Sequence, residues 1–185
     1  MRIISGSARG RTLLTLPGLD TRPTLDRVRE SIFGSLQFDI PGCTFLDVFS
    51  GSGAMGLEAA SRGAKHVVCN DLSAEAVSVI RRNVELLRLG DTVDVRQSDY
   101  RDLIAYLTDR EERFDFVYLD PPYASGFAQD AAERIFRADL LKKDGTVLAE
   151  HATEDAPFPG IPGLMYPVRT RKYGKCSVTE YRKEC

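Results

Sequence analysis

Two short runs carry most of the chemistry in this sequence. The first is Asp120-Pro121-Pro122-Tyr123, which directly follows the apolar stretch 114–119. Consecutive prolines remove two N–H donors and hold the backbone extended, so carbonyl oxygens can point away from a sheet edge. The Asp120 carboxylate and the Pro121 carbonyl are then two acceptors matched to the two hydrogens of a planar amino group. Tyr123 offers a face on which the ring bearing that amine can stack. Such an amine is a poor nucleophile because its lone pair is delocalised into the ring. Accepting its hydrogen bonds favours pyramidalisation, and a carboxylate beside it stabilises the positive nitrogen that forms as a methyl group arrives. Guanine N2 and adenine N6 both meet this description. A rigid strand-to-loop stop is the purely structural alternative.

The second run is Leu46-Asp-Val-Phe-Ser-Gly-Ser-Gly-Ala-Met-Gly56, in which apolar residues give way to Gly51, Gly53 and Gly56 and then to helix-forming residues 54–62. A strand, a tight turn and a helix follow from this order. Glycines permit positive φ and close approach of a ligand, which the N–H groups of the helix start then face. The spacing also fits the dinucleotide fingerprint, with Asp71 at the distance that fingerprint requires, so the glycines leave nicotinamide and flavin cofactors open. Asp47 weighs against them. A carboxylate there repels a pyrophosphate and suits the ammonium and sulfonium of S-adenosylmethionine. For that ligand, Asp47 with Gly51, Ser52 and Gly53 would hold the methionine part and Asp71 the ribose hydroxyls. Asp99 would accept from the adenine amine, and Leu72 or Tyr100 would pack on the ring.

Positioning these residues requires alternating elements. Strands are predicted over 44–49, 66–70, 92–97, 114–119 and 146–150. Helices are predicted over 54–62, over the segment after Ser73 with Val77, Ile80, Val84 and Leu87 on one stripe until Gly90 stops it, and over 127–141. The result is an α/β, Rossmann-like fold: a mostly parallel twisted sheet with helices on both faces and ligands beyond the carboxyl ends of the strands. Asp47, Asp71, Asp99 and Asp120 all fall at such ends. The runs 165–170 and 176–181 predict a C-terminal β-hairpin at the sheet edge, after an extended loop over 152–164. At the other end, 2–5 and 11–14 predict a small hairpin, with a turn at Pro17-Gly18. An amphipathic helix follows, with Thr24 as its N-cap and Val28, Ile32 and Leu36 on one face. Residues 1–40 thus read as an N-terminal extension, and 41–185 as one cofactor-binding domain.

With 185 residues and 43% hydrophobic content the chain can bury one sizeable core. It has no apolar run of membrane length and no signal-peptide core, which predicts a cytosolic protein without a membrane partner. Cys43, Cys69, Cys176 and Cys185 show no Cys-x-x-Cys spacing, and His66 and His151 stand alone, so reduced thiols and no metal are expected. The net charge is −2, yet both ends are basic. If those ends meet, Arg9, Arg11, Arg22, Arg27 and Arg29 are candidate contacts to a nucleic-acid backbone; dispersed solvated charge is the alternative. A base within a helix cannot present its amine and its faces together, so the target would be extruded or unpaired, as in RNA loops.

Together these residues resemble the RsmD family, guanine-N2 methyltransferases of small-subunit ribosomal RNA. The resemblance runs essentially end to end, through Met1-Arg-Ile-Ile-Ser-Gly6, Arg22-Pro-Thr-Leu-Asp-Arg-Val-Arg-Glu-Ser-Ile-Phe33, the 46–56 loop, 120–123 and Tyr173-Gly174. Arg-Pro-Thr-x-Asp-x-Val-Arg-Glu is the discriminating piece, since Asp-Pro-Pro-Tyr is shared by many amino-methylating enzymes of DNA and RNA. The resemblance implies a class I methyltransferase fold and S-adenosylmethionine as cofactor. The substrate it implies is 16S ribosomal RNA in the cytoplasm, in the small subunit or its assembly intermediate. Residues 24–30 would line the methionine end and the base pocket, with Thr24 at the cofactor. Gly34 stands where the family usually has Asn, and Asp71 where it more often has Glu. The other functions the residues leave open are an adenine-N6 methyltransferase, a non-catalytic RNA-binding assembly factor and a nicotinamide-dependent oxidoreductase.

Overall fold

The computed structural model describes residues 1–16, 23–122 and 125–184. Seven strands among them form one sheet: β1 (Thr44–Asp47), β2 (His66–Asp71), β3 (Val93–Gln97), β4 (Phe114–Leu119), β5 (Leu141–Ala152), β6 (Met165–Tyr173) and β7 (Cys176–Lys183). Their order is β3-β2-β1-β4-β5-β7-β6, with β1 to β5 parallel and β7 antiparallel to both of its neighbours. Before them comes α1 (Pro23–Ser35), and between them run α2 (Ala54–Ser61), α3 (Ala74–Leu87), α4 (Tyr100–Asp109) and α5 (Phe127–Arg137).

The central strands β1 and β4 are mostly apolar and almost wholly buried because both faces are covered. Successive side chains point to opposite faces. Phe45, Tyr118 and Leu148 therefore enter one core, with α2 and α3, and Leu46, Leu119 and Ala149 the other, with α4 and α5. The parallel register, Asp47 with Tyr118 and Leu119 with Ala149, brings the carboxyl ends of β1, β4 and β5 side by side.

The structure departs from the sequence expectations at several boundaries. Helix α4 was not anticipated, although Tyr100, Leu103, Ile104 and Leu107 are buried along one of its faces. Helix α5 stops at Arg137 rather than near 141, because Leu141 already pairs with Phe114 as the start of a longer β5. Helix α3 ends before Gly90, at Arg88, which takes the left-handed conformation (φ 59°) and lets Leu89 fold back into the core. Ser73 does cap α3, accepting from Ala76 N at 3.3 Å. Helix α1 begins at Pro23, so Thr24 lies within its first turn rather than at the cap. The turn expected at Pro17-Gly18 lies outside the described residues.

The N-terminal segment is stapled to α2. A bridge between Arg2 and Thr12 closes its hairpin. Gly6, at φ 87°, lies so close to Ser61 that a Cβ would meet the Ser61 carbonyl at 1.8 Å. Glu58, fully buried, accepts from Ile4 N at 2.9 Å and Ser5 N at 3.0 Å and pairs with Arg62 Nε at 2.7 Å. Ile3, Leu13, Val28 and Phe33 consequently share one core with Phe45 and Leu57.

Candidate active site

Strand order reverses between β1 and β4, and the carboxyl ends there open into a cavity of about 590 Å³. Its floor is the glycine turn. Gly51 (φ 55°) and Gly53 (φ 83°) both occupy the left-handed region, and a Cβ on Gly51 would meet nothing within 4 Å, so a ligand can approach the backbone there. Gly53 does not line the cavity; it caps α2 from behind the turn. Gly56 serves packing: a Cβ would lie 2.3 Å from Cys69 Sγ, so α2 approaches β2 only because that side chain is absent.

Asp47 is 1% exposed and points along the same face as this turn, where Oδ2 accepts from Gly56 N at 3.1 Å. Burial pushes its carboxyl up to about 7, aided by the charge of Asp71 and opposed by hydrogen bonds from Gly56 and Ser50. Asp71 holds the turn in place, accepting from Gly51 N at 2.8 Å and from Ser73 N at 2.9 Å, one bond per oxygen. A carboxylate has about four lone-pair sites, so both oxygens keep capacity for hydroxyl donors. Asp99 caps α4, with Oδ1 accepting from Arg101 N at 2.9 Å.

Beside these acids runs an apolar wall. Leu72, 67% exposed, stands at the rim, whereas Tyr100 is buried, its ring packed between Phe49 and Phe127 at centroid distances of 5.4 and 5.5 Å. Burial, aided by the hydrogen bond that its hydroxyl donates to Asp130 at 2.7 Å, pushes the Tyr100 pKa up to about 12. Phe49 and Phe127 were not among the expected site residues. On the far side come Asp120, Pro121 and Pro122, with Ser52 nearer the turn. Burial, then the charges of Glu150 and Asp47, push the Asp120 carboxyl well above the usual range. Glu150, two residues before the end of β5 and 4% exposed, was also missed; it accepts from Tyr118 Oη at 2.5 Å. Its position after Val147-Leu148-Ala149, an acid following an apolar run, is the same sequence signal that singled out Asp47 and Asp120. Tyr123 and Arg22 lie outside the described residues, as does the side chain of Thr24.

The arginines separate. Arg9, Arg11 and Arg27 are exposed, away from the cavity, and Arg11 donates to the Leu86 carbonyl. Arg29 is not the surface contact expected of it. It is 2% exposed because the N-terminal segment covers it, and its Nη2 donates to Arg2 O at 2.6 Å and Asp26 Oδ1 at 3.0 Å. Burial lowers its pKa, against the pull of Glu58 and Asp26. Among the described residues, the buried side-chain atoms with no hydrogen-bond partner are Arg29 Nε, Arg29 Nη1 and Asp47 Oδ1, and both side chains line this cavity. Two donors and one acceptor are the complement of an amino acid's carboxylate and ammonium. A pyrophosphate, by contrast, would face Asp47, Asp71, Asp99 and Asp120. The site therefore fits a ligand with a methionine end and a ribose, and disfavours a dinucleotide.

The family model described as Conserved hypothetical protein 95 matches residues 1–182. A Bacillus subtilis (strain 168) protein provisionally named rRNA methyltransferase YlbH is 36% identical over 99% of both chains. "Ribosomal RNA small subunit methyltransferase D" of Haemophilus influenzae is 33% identical over 85% of this chain and 81% of its own. Among solved structures, one provisionally named methyltransferase yhhF, from Escherichia coli, superimposes with a TM-score of 0.84 at 29% identity, covering 100% of this chain and 98% of that one.

Proposed function

The chain belongs to the Conserved hypothetical protein 95 family, that of RsmD, and from this we propose that it methylates the exocyclic N2 amine of a guanine in 16S ribosomal RNA. The observation that supports the cofactor assignment is that Asp47 Oδ1 and Arg29 Nε and Nη1 are buried without hydrogen-bond partners and that both side chains line one cavity. S-Adenosylmethionine, when bound, supplies an electrophilic methyl on a positively charged sulfur.

In this reading each group of the protein has one task. Asp47 accepts from the ammonium and Arg29 donates to the carboxylate, which fixes the methionine end. Asp71 accepts from the ribose hydroxyls, Asp99 from the adenine amine, and Leu72 covers the ring. Asp120 and the Pro121 carbonyl accept the two amine hydrogens, so the lone pair is turned toward the methyl. Burial, with Glu150 and Asp47 beside it, favours the neutral Asp120 carboxyl. A cation nearby restores the carboxylate, and once that cation is discharged the affinity for a proton returns. Asp120 then takes the proton from the methylated nitrogen. Tyr123 stacks on the base in this reading, and residues 1–40 close the methionine end of a methyltransferase domain formed by 41–185.

Helix α1 and strand β6 are in contact, through Ser31 Oγ and Tyr173 Oη at 3.1 Å, so the two basic ends of the chain meet. Arg9, Arg11 and Arg27 would hold phosphates flanking the target. The substrate is then RNA of the small subunit or its assembly intermediate, encountered in the cytoplasm. No described helix is long and apolar enough to cross a membrane, and no described group of three His, Cys, Asp or Glu could hold a metal ion.

The test is transfer of labelled methyl from S-adenosylmethionine to small subunits from cells lacking the protein, with Asp120→Ala in parallel. Label in N2-methylguanosine, lost in the variant, is expected. Label in N6-methyladenosine would assign the adenine reaction instead, and cofactor binding without transfer would leave an assembly factor.

A further inference from the structure

Asn70 follows the apolar run Val67-Val68-Cys69 on β2 and is itself buried. A buried amide is costly unless its polar groups are bonded, and here each of them is. Its Nδ2 donates to the Val48 and Ser98 carbonyls, both at 3.1 Å, and its Oδ1 accepts from Ser98 Oγ at 2.9 Å. Both atoms that Nδ2 meets are carbonyl oxygens, which only accept, so the partners fix which way the amide is turned. Three acids adjoin this one bracket. Val48 directly follows Asp47, Ser98 directly precedes Asp99, and Asn70 directly precedes Asp71. Val48, Asn70 and Ser98 all line the cavity.

The backbone ties these positions unequally. The β2–β3 ladder runs out to Asp71 and Gln97, and Ser98 N then donates to the Asp71 carbonyl at 3.3 Å, so Asp71 and Asp99 are carried on one continuous edge. The β1–β2 ladder stops sooner, at Asp47 and Cys69. Past that point Ser50 N donates to the Asn70 carbonyl at 2.8 Å and Asn70 N to Ser50 Oγ at 3.0 Å. The Asn70 amide then joins the exit of β1 to the exit of β3, across β2.

Resting on the cofactor roles proposed above for Asp47, Asp71 and Asp99, we propose that Asn70 is a positioning residue. Its amide sets the separation between the methionine end of the cavity and the ribose and adenine end, so that one molecule carrying both parts engages both at once. A ligand confined to one end is indifferent to that separation. A ligand that spans both gains from the linkage, and loses that gain when the two ends are free to shift.

S-Adenosylhomocysteine spans the cavity in this reading, adenosine occupies the ribose and adenine end alone, and neither needs RNA. In calorimetric titration, Asn70→Ala is expected to weaken S-adenosylhomocysteine about 10-fold or more while affinity for adenosine changes less than about threefold. A loss of stability with both affinities kept, or an equal loss for both ligands, overturns the inference, since a merely structural asparagine gives one or the other. The wild type supplies a second measurement that needs no variant. Linkage is reciprocal, so a ligand that binds best with the bracket closed must hold it closed. Exchange of the Asn70 side-chain amide hydrogens, followed by NMR, is expected to slow about 10-fold or more under saturating S-adenosylhomocysteine and less than about threefold under adenosine. Equal slowing by the two ligands, or slowing by neither, overturns the inference. If the wild type binds neither ligand, it is the proposed cofactor roles that fail, and the inference falls with them.

Discussion

Asp47→Asn should make the cofactor-free protein more stable at neutral pH while removing its ability to hold the cofactor. Asp47 is fully buried and its carboxyl is raised from 3.8 to about 7. The neutral form is therefore the one the fold prefers. The stability it contributes is complete below the unfolded pKa, near 4, falls as pH rises toward 7, and is flat above. A rise of that size corresponds to about 4 kcal/mol in all, or about 1.4 kcal/mol per pH unit across that window. The asparagine does not titrate, and relief of repulsion with Asp120 acts in the same direction. Its Oδ1 can still accept from Gly56 N, but its NH2 takes the place of an oxygen that has no partner, a pH-independent cost of about 1–3 kcal/mol. The slope is accordingly the readout. Urea unfolding of both proteins from pH 5 to 8 should show the variant gaining about 3 kcal/mol relative to the wild type. Calorimetric titration should show wild-type affinity for S-adenosylmethionine falling about tenfold per pH unit below 7, and uniformly weak binding by the variant. Parallel stability curves would refute the reasoning, since they would mean that Asp47 is ionised in the fold at no cost.

Gly56→Ala places a Cβ 2.3 Å from Cys69 Sγ and should destabilise by about 1–3 kcal/mol, lowering Tm by about 2–12 °C. Cys69→Ala in the same background should recover part of the loss in a calorimetric melt, and no recovery would place the strain elsewhere. Glu58→Ala strands a buried arginine and two backbone donors and should cost about 3–5 kcal/mol, with hydrogen exchange at Ile4 and Ser5 rising first. Arg9→Ala and Arg27→Ala should each reduce the slope of log K for RNA against log salt by about 0.7, with affinity for the cofactor unchanged. A slope that stays put would remove those residues from the phosphate-binding face.

Much of the architecture could be read locally. The apolar run 114–119, the glycine turn and the strand-end acids each depend on a few neighbouring residues, and β4 falls on its expected bounds. What escaped depended on contacts distant in sequence. Arg29, next to Val28 on α1, looks like any polar helix residue until the N-terminal hairpin is laid over it and ties it to Arg2. Glu150 follows an ordinary apolar run and acquires meaning only beside Asp120, thirty positions away. The extent of β5 was set by its pairing with β4 back to Leu141 and with β7 out to Ala152, contacts that no local pattern reveals. Helix α4 is the exception, since its apolar spacing is local; its first residues, Asp99 and Tyr100, read from the sequence as ligand contacts alone, whereas Asp99 caps the helix and Tyr100 packs beneath it.

The lining of the cavity also constrains the path of the methyl group in space. Asp120, Pro121 and Pro122 belong to it, while the thiols of Cys43, Cys69 and Cys176 are buried and do not. No described thiol therefore stands where it could take the methyl and pass it on. The carbon must cross between donor and acceptor once, in line, and a methyl group made chiral with the three hydrogen isotopes should emerge with its handedness inverted. Retention would require two crossings, and with them a stopping place on the protein.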